Sequence, residues 1–249
     1  MYKSESLLSI GSDSKTIKGQ KYGYLTGILY LAPSTTTKYN TCPMAEIAQC
    51  AEACLYSAGR GAMSNVKQSR INKTIYFYED RQGFMNTLVK NINSLKVTAK
   101  NKGLIPLVRL NGTSDIKWEN IEFIENGIKY NNIFDRFPEL QFYDYTKTTN
   151  RTKINNYDLT YSYSGVLNYQ KYVTIAKNKG MRIAVVFRSA KIIPKIFMGL
   201  KVVLGDNSDI RHLDDHGVIV ALYAKGQAKK DTTGFVVDNG YQSIPLIVV

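Results

Sequence analysis

The stretch Ala99-Lys-Asn-Lys-Gly-Leu-Ile-Pro-Leu-Val-Arg-Leu110 decides the fold class of this chain. Two lysines followed by Gly103 are typical of a helix C-terminus. The apolar run over residues 104–110 is typical of a strand that is buried on both faces of a parallel sheet. Pro106 conflicts with a central strand, so we expect it among the first residues of the strand or at a sheet edge. The stretch therefore predicts a helix that leads directly into a buried strand.

The same arrangement is found elsewhere in the chain. Apolar residues at helical spacing predict a helix over residues 84–99. A second helix, over residues 166–177, leads through Ala176-Lys-Asn-Lys-Gly180 into a strand over residues 181–187. We interpret the shared residues as a common way of ending a helix before a strand. Further strands are predicted over residues 22–32, 140–145, 157–162, 201–204 and 217–223.

Strands that alternate with helices predict parallel pairing through right-handed crossovers. The expected fold is α/β, with a partial or closed β/α barrel of parallel strands. An open doubly wound sheet is the alternative, although no Gly-x-Gly-x-x-Gly motif follows a strand. The length of 249 residues and the hydrophobic content of 44% fit a single domain over residues 1–249. Residues 1–21 are expected to be a flexible or peripheral segment.

All three cysteines of the chain lie close together in sequence. Cys42, Cys50 and Cys54 follow the first predicted strand, in a loop that ends near Gly61. Residues 45–58 are rich in good helix formers, so we expect a helix with Cys50 and Cys54 on one face. Because three thiols cannot all pair as disulfides, their grouping predicts an intracellular metal site. The alternative is that they are small buried residues on a packed helix.

Two kinds of metal group suit three thiolates. Structural zinc requires a fourth protein ligand, which would be His212, His216 or a distant carboxylate. A 4Fe-4S cluster normally takes four cysteines, and with three it keeps one iron open to a substrate or cofactor. The lack of a fourth cysteine therefore favours the iron–sulfur cluster, with zinc as the alternative. The two histidines are expected in a solvated turn, because Asp and Gly residues surround them.

Polar residues follow most of the predicted strands. In a β/α barrel the carboxyl ends of the strands form the active-site face, so we expect these residues and the cysteine loop around one mouth. The candidate catalytic residues are Asp115, Asp144, Lys147, Asp206 and Arg211. The candidate cofactor-binding residues are Arg109, Asn111, Ser114, Ser162 and Arg188. Pairing of Asp144 with Lys147 and of Asp206 with Arg211 is an equally good interpretation of those two carboxylates.

The chain is strongly basic, with a formal net charge of +13 from 33 Lys and Arg against 20 Asp and Glu. Such an excess suits a polyanionic partner, above all nucleic acid. The lysines are spread along the sequence, which also fits a generally basic protein. Neither a secretory signal nor a segment of membrane-spanning length is found. We therefore expect a cytoplasmic protein with no membrane partner.

Five motifs together point to one family. They are Cys42-Pro with the paired cysteines and Gly59-Arg-Gly61, Arg109-Leu-Asn-Gly-Thr-Ser-Asp115, Phe142-Tyr-Asp-Tyr-Thr-Lys147, Val186-Phe-Arg188, and Gly205-Asp-x-x-Asp-x-Arg211. In these motifs the chain resembles a family from phages and plasmids that is often labelled gene product 88. The resemblance covers roughly residues 42–225. It implies a phage-type protein and carries no particular activity with it.

The expected architecture is also similar to that of radical S-adenosylmethionine enzymes. Those enzymes carry three cysteines in the loop after the first strand of a partial β/α barrel, and the open iron of their cluster binds the methionine end of the cofactor. The similarity implies a 4Fe-4S cluster, S-adenosylmethionine and radical chemistry. Here seven and three residues separate the cysteines, instead of the usual three and two, and Ala53 replaces the aromatic residue that commonly precedes the last one.

Two other functions are compatible with the sequence. One is a nucleic-acid-binding protein in which an iron–sulfur or zinc site is structural and the basic surface contacts phosphates. The other is a metal-dependent phosphoesterase that uses Asp115, Asp144, Asp206 and Asp209 around magnesium or manganese. The phosphoesterase hypothesis leaves the three cysteines without a role, and we rank it last.

Overall fold

A computed structural model describes residues 4–11, 14–54, 59–206 and 208–238 of the chain. The strands in these ranges are β1 (Leu8–Ile10), β2 (Tyr24–Leu29), β3 (Ile105–Arg109), β4 (Phe123–Glu125), β5 (Ile128–Tyr130), β6 (Gln141–Thr146), β7 (Tyr157–Ser162), β8 (Ile183–Phe187), β9 (Ile196–Phe197), β10 (Leu200–Leu204) and β11 (Ile219–Tyr223). The α-helices are α1 (Ser14–Gln20), α2 (Ser64–Glu79), α3 (Arg81–Asn101), α4 (Ile133–Arg136) and α5 (Gln170–Asn178).

One large sheet organises the fold, with the strand order β1-β2-β3-β6-β7-β8-β11-β10-β9. The seven strands from β2 to β10 pair in parallel. The outermost strands, β1 and β9, pair antiparallel with their neighbours. Strands β4 and β5 form a separate antiparallel hairpin. The expected α/β class and parallel pairing are therefore confirmed, while the described strands leave the sheet with two edges.

The stretch that decides the fold behaves as its sequence predicts. Helix α3 begins after Asp80, whose carboxylate accepts a hydrogen bond of 2.9 Å from the N–H of Gly83. Its apolar stripe, from Phe84 to Leu95, is buried against the sheet. Strand β3 then lies between β2 and β6, as a strand buried on both faces should.

Pro106 occupies the first of the two positions expected for it. It is the second residue of β3 and is opposite Leu25 of β2, whereas the pairing of β3 with β6 begins only at Leu107. The missing N–H of the proline therefore falls before the part of the strand that is paired on both sides. This is how a central parallel strand contains a proline.

Most of the other expected elements are present. The strands predicted over residues 22–32, 140–145, 157–162, 181–187, 201–204 and 217–223 correspond to β2, β6, β7, β8, β10 and β11. The helix predicted over residues 166–177 is a 3-10 turn, Leu167–Tyr169, followed by α5. Within the N-terminal segment, residues 8–10 form the edge strand β1. Within the described residues, no helix is long and apolar enough to cross a bilayer.

The helix expected over residues 45–58 is wrong in its described part. Residues 45–49 form turns, and Gln49 has a φ of 48°, in the left-handed region that interrupts a right-handed helix. The N–H of Cys50 then bonds to the carbonyl of Ala45, at 3.2 Å, instead of to residue 46. Cys50 and Cys54 are therefore not presented on a common helix face. Residues 55–58 lie outside the described part of the chain.

The contact of α3 with β2 depends on a glycine. A Cβ atom added at Gly27 would lie 2.9 Å from Leu95 Cδ2 and 3.1 Å from Leu8 Cδ1. We expect Gly27→Ala to lower the free energy of unfolding by about 1–3 kcal/mol, because the added methyl overpacks the core. Urea denaturation measures the change.

Gly19→Ala provides the matched control for this substitution. Its added methyl would have its nearest neighbour at 3.7 Å, an ordinary contact distance, on helix α1. We expect it to leave stability unchanged or slightly raised, since alanine favours helix more than glycine does. Equal destabilisation by the two substitutions would show that Gly27 has no special packing role.

Candidate functional site

A cavity of about 230 Å³ lies at the carboxyl ends of the parallel strands. Its wall contains all three cysteines and most of the polar residues that the sequence predicted to face one mouth. The predicted residues in the wall are Cys42, Cys50, Cys54, Arg109, Asn111, Ser114, Asp115, Lys147, Ser162 and Asp206. Among the described residues, Asp144, Arg188 and Arg211 do not contribute to this wall. The cavity thus joins the cysteine loop to residues in or just after six of the parallel strands, β3, β6, β7, β8, β10 and β11.

The three thiols are partly buried and have different surroundings. The Sγ atom of Cys42 lies 3.7 Å from the carbonyl oxygen of Thr113, and that of Cys50 lies 3.9 Å from the carbonyl oxygen of Ala45. Burial raises the pKa of Cys42 to about 12, so its thiol is protonated near neutral pH when no metal is bound. No three Cys, His, Asp or Glu side chains in the described ranges are arranged to hold one metal ion.

The backbone of the cysteine loop is held by residues that are distant in sequence. Ser164 Oγ, which follows β7, donates a hydrogen bond of 2.8 Å to the carbonyl of Ala48. Thr233 Oγ1 donates one of 3.1 Å to the carbonyl of Gln49. Both acceptors are in the turns before Cys50, so tertiary contacts set the path of the loop where a helix was expected.

Asp115 joins the cysteine loop to the end of β6. Its N–H donates to the carbonyl of Thr41, at 2.8 Å. Its carboxylate accepts hydrogen bonds from Thr146 Oγ1 (2.7 Å), the N–H of Lys147 (2.8 Å), Thr148 Oγ1 (3.2 Å) and Arg151 (3.0 Å). This predicted catalytic residue therefore has its carboxylate fully engaged in holding the cavity wall together.

Lys147 places a positive charge beside the three thiols. Its ammonium donates hydrogen bonds to the carbonyls of Ser162 and Tyr163, both at 3.2 Å, and to Ser162 Oγ at 3.1 Å. It also lies 4.8 Å from the ring centroid of Phe235. Burial lowers the pKa of Lys147, and its electrostatic interactions with the three cysteine side chains and Asp115 oppose that shift. All three ammonium donors are used, so the charge is fixed in position.

Asn111 and Asp144 shape the loop that follows β3. The side-chain oxygen of Asn111 accepts hydrogen bonds from Ser114 Oγ (2.9 Å), the N–H of Ile116 (2.9 Å) and Trp118 Nε1 (3.1 Å). Asp144 is fully buried and accepts from the N–H of Asn111 at 2.8 Å and from the hydroxyl of Tyr157 at 3.0 Å. Burial raises the pKa of Asp144 to about 7. The hydrogen bonds of Asn111 and Asp144 fix the conformation of the loop after β3, which places the carbonyl of Thr113 next to Cys42.

The charged pairs differ from those that the sequence suggested. Asp206 pairs with Lys225, not with Arg211, and it also accepts from the N–H of Tyr223 at 3.1 Å. Arg211 is buried and pairs with Asp214 at 2.8 Å. Asp144 accepts no hydrogen bond from Lys147 within the described structure, since the ammonium of that lysine points to Ser162 and Tyr163. The ion pairs form between residues that the fold brings together at the strand ends. Their spacing along the chain does not predict them.

Each aspartate considered for a phosphoesterase is already paired or hydrogen-bonded, and Arg109 is within ion-pair distance of two of them, Asp144 at 3.8 Å and Asp209 at 3.0 Å. Asp115 pairs with Arg151, Asp144 accepts from Tyr157, Asp206 pairs with Lys225, and Asp209 pairs with Arg109 at 3.0 Å. The two histidines do not line the cavity with the cysteines in the described structure. His212 lies in the 3-10 turn Arg211–Leu213, so the expected turn is present. Its ring is partly buried, with its centroid 5.6 Å from that of Tyr24, and is therefore not solvated as expected.

A segment that sequence reasoning did not identify covers one side of the cavity. We call residues 226–238 the C-terminal strap. Ala228 and Phe235 of the strap line the cavity, and Val237 forms a parallel bridge with Phe187. Arg188 donates to the carbonyls of Ala228, at 3.0 Å, and of Lys229, at 2.8 Å. Arg188, predicted to bind a cofactor, is placed where it fastens this strap.

The chain is a mixed α/β protein whose cavity lies at the carboxyl ends of parallel strands, the position of functional sites in such folds. Residues 6–239 match the model of the family described as gene product 88, and the chain belongs to that family. This confirms the family resemblance noted in the motifs. No curated protein and no solved structure matches the chain.

We expect Arg188→Ala to release the C-terminal strap, because the substitution removes its hydrogen bonds to three strap carbonyls, those of Ala228, Lys229 and Asp231, and the pair with Asp238. The strap contains Lys229 and Lys230, so limited trypsin digestion followed by mass spectrometry should show faster cleavage there.

Arg136→Ala is the matched control for strap release. Arg136 has a similar side-chain exposure, 27% against 26% for Arg188, and it also pairs with a carboxylate, Glu125. The control should leave cleavage of the strap unchanged. If the two substitutions accelerate cleavage equally, general destabilisation explains the effect and Arg188 is no specific fastener.

Proposed function

We propose that this protein is an iron–sulfur enzyme in which Cys42, Cys50 and Cys54 hold a 4Fe-4S cluster, with radical S-adenosylmethionine chemistry. The observation that carries the proposal is that all three cysteines of the chain line one cavity at the carboxyl ends of the parallel strands. The loop that bears them follows β2, the first parallel strand of the sheet along the chain.

The donor set of the cavity suits a cluster better than a single ion. Thiolates are the usual ligands of iron–sulfur clusters. Cys42 and Cys50 have separate neighbours, and among the described residues the three thiols do not converge on one point as ligands of a single ion would. A zinc ion needs its ligands around one centre, whereas a cluster offers each thiolate its own iron. With three thiolate ligands a cluster in its usual oxidised state carries a net negative charge, which the ammonium of Lys147 balances.

The strand order supports a partial barrel as the scaffold. Strands β2, β3, β6, β7 and β8 lie side by side in chain order and parallel, as successive barrel strands do. Arg109 at the end of β3 is 3.0 Å from Asp209, in the connection between β10 and β11. On a flat sheet β3 and β10, five strand spacings apart, would be separated by about 24 Å. A sheet that curls around the cavity accounts for this contact.

Cys42, Cys50 and Cys54 would hold the cluster, which would pass an electron from an external reductant to S-adenosylmethionine for its reductive cleavage. The residues of the chain supply binding and exclusion of water. Lys225 and Asp206 form an ion pair in the cavity wall and offer a cation for a carboxylate and an anion for an amine or ribose. Phe235 of the strap covers the site beside Lys147. Asp115, Asn111 and Ser114 keep the wall in place.

Metal analysis of protein purified without oxygen tests the cluster. We expect about four irons per chain and broad absorption near 400 nm for the wild type. Cys42→Ser, Cys50→Ser and Cys54→Ser should each lose most of the iron. With reductant and S-adenosylmethionine, the wild type should release 5′-deoxyadenosine.

Met44→Leu serves as the control for these variants, because it lies in the same loop and cavity wall and conserves volume. It should keep its iron and its absorption. One zinc per chain without iron would overturn the cluster. A full cluster without 5′-deoxyadenosine would overturn the radical chemistry and leave the cluster intact.

The charge of Lys147 leads to a second test. Reduction adds an electron to an anionic cluster, so a fixed cation nearby favours the reduced state and raises the reduction potential. We expect Lys147→Gln to shift the potential of the bound cluster to more negative values. Redox titration followed by electron paramagnetic resonance measures this shift.

Lys225→Gln is the matched control for the potential. It removes one lysine charge from the same cavity wall, but Lys225 lies at the side chain of Asp206, whereas Lys147 is the lysine that interacts electrostatically with all three cysteines. The control should shift the potential less than Lys147→Gln does. Equal shifts would mean that the charge of Lys147 has no particular influence on the cluster.

A further inference from the structure

A large part of the chain has no acidic residue. Residues 159–205 contain no Asp or Glu and carry eight basic residues, six lysines and two arginines. The two arginines are engaged: Arg182 is buried with Asp158, and Arg188 fastens the C-terminal strap. The lysines are exposed, so the positive charge of this segment lies on its surface.

Five of these lysines surround one edge of the sheet. We call this surface the lysine edge and define it by Lys171, Lys177, Lys191, Lys195 and Lys201. Within the described residues none of the five is paired with a carboxylate. The surface consists of helix α5, the turn before β9 and the β9–β10 hairpin, which share one hydrophobic cluster beneath them.

Contacts between these elements hold the lysines together. Lys177 Nζ, on α5, donates a hydrogen bond of 2.8 Å to the carbonyl of Met198 in the β9–β10 turn. Lys201 lies opposite Ile196 in the hairpin register, and Val202 N–H bonds to the carbonyl of Lys195 at 3.0 Å. The charges are therefore carried by ordered elements, not by a loose tail.

We propose that the lysine edge binds the phosphate backbone of nucleic acid. Closely spaced lysines without carboxylates create a positive potential that attracts a polyanion. Tyr172, on the same helix, lies 5.1 Å from the ammonium of Lys171 and offers a ring near the charges. This proposal is independent of the cluster, which lies at a different set of residues.

A nucleic acid fits this surface better than an anionic membrane does. A helix that lies in a membrane interface needs an exposed apolar face. Helix α5 instead buries Val173 and Ala176 against the sheet. The exposed large apolar side chains of the surface are single residues on three different elements, Ile175 on α5, Ile196 on β9 and Leu204 on β10, and do not form an apolar helix face. Lysines beside an edge strand also prevent the strand from pairing with the sheet of another molecule. This would explain the lysines without any ligand.

Fluorescence anisotropy with the full, metal-loaded chain tests the proposal, using labelled mixed-sequence single-stranded DNA, duplex DNA and single-stranded RNA. The test variant is Lys191→Gln/Lys195→Gln/Lys201→Gln, since no side-chain hydrogen bond or ion pair of these lysines is found within the described residues. We expect roughly a tenfold or greater loss of affinity, because each lost phosphate contact removes a counterion-release contribution. The plot of log affinity against log salt concentration, measured on the preferred nucleic acid, should become shallower, its negative slope losing about 2–3 in magnitude.

The matched control is Lys90→Gln/Lys100→Gln/Lys102→Gln, which removes the same charge from exposed positions on and just after α3. It should weaken binding by less than about twofold and keep the salt slope. Equal losses in the two triple variants would overturn the lysine edge as the binding surface. Absence of binding by the wild type at low salt, or binding to phosphatidylserine vesicles alone, would overturn the nucleic-acid partner.

Discussion

The cavity depends on the carboxylate of Asp115. Four donors from the end of β6 and the segment after it converge on this one side chain, while its own N–H holds the residue before Cys42. A buried carboxylate is stable only when its lone pairs are satisfied, so these contacts form as a set. The set fixes the distance between the cysteine loop and the strand end that carries Lys147. The position of the thiols relative to that ammonium follows from it.

Much of the fold could be predicted from local sequence. The helical spacing of apolar residues in α3 predicts its structure, because the helix buries one face against the sheet. The continuous apolar runs of β3 and β8 predict theirs, because these strands lie inside the sheet. The edge strands β1 and β9 were not predicted, since runs of two or three residues carry no periodic signal. In the sheet β11 lies between β8 and β10, although β10 comes first in the chain. Tertiary packing determines this order, and the sequence patterns of the single strands do not predict it.

The candidate site was predictable in its location and less so in its detail. Cysteine grouping and strand ends indicated one mouth, and the cavity unites them. The helix predicted for the cysteine loop failed at Gln49, where good helix propensity is overridden by hydrogen bonds from Ser164 and Thr233. Asp206 pairs with Lys225, and Arg188 bonds to the C-terminal strap. Both contacts join residues that are distant in the chain, so no sequence motif predicts them.

The two hydrogen bonds on the cysteine loop span 116 and 184 residues of the chain. Contacts between such distant residues form late in folding, because a long loop must close before they gain any energy. During synthesis, the cysteines therefore emerge well before the residues that will hold their loop. The thiols pass through a period in which they are accessible and loosely held. Any group that the three thiols bind would enter most easily in that interval, before the strap docks over the cavity.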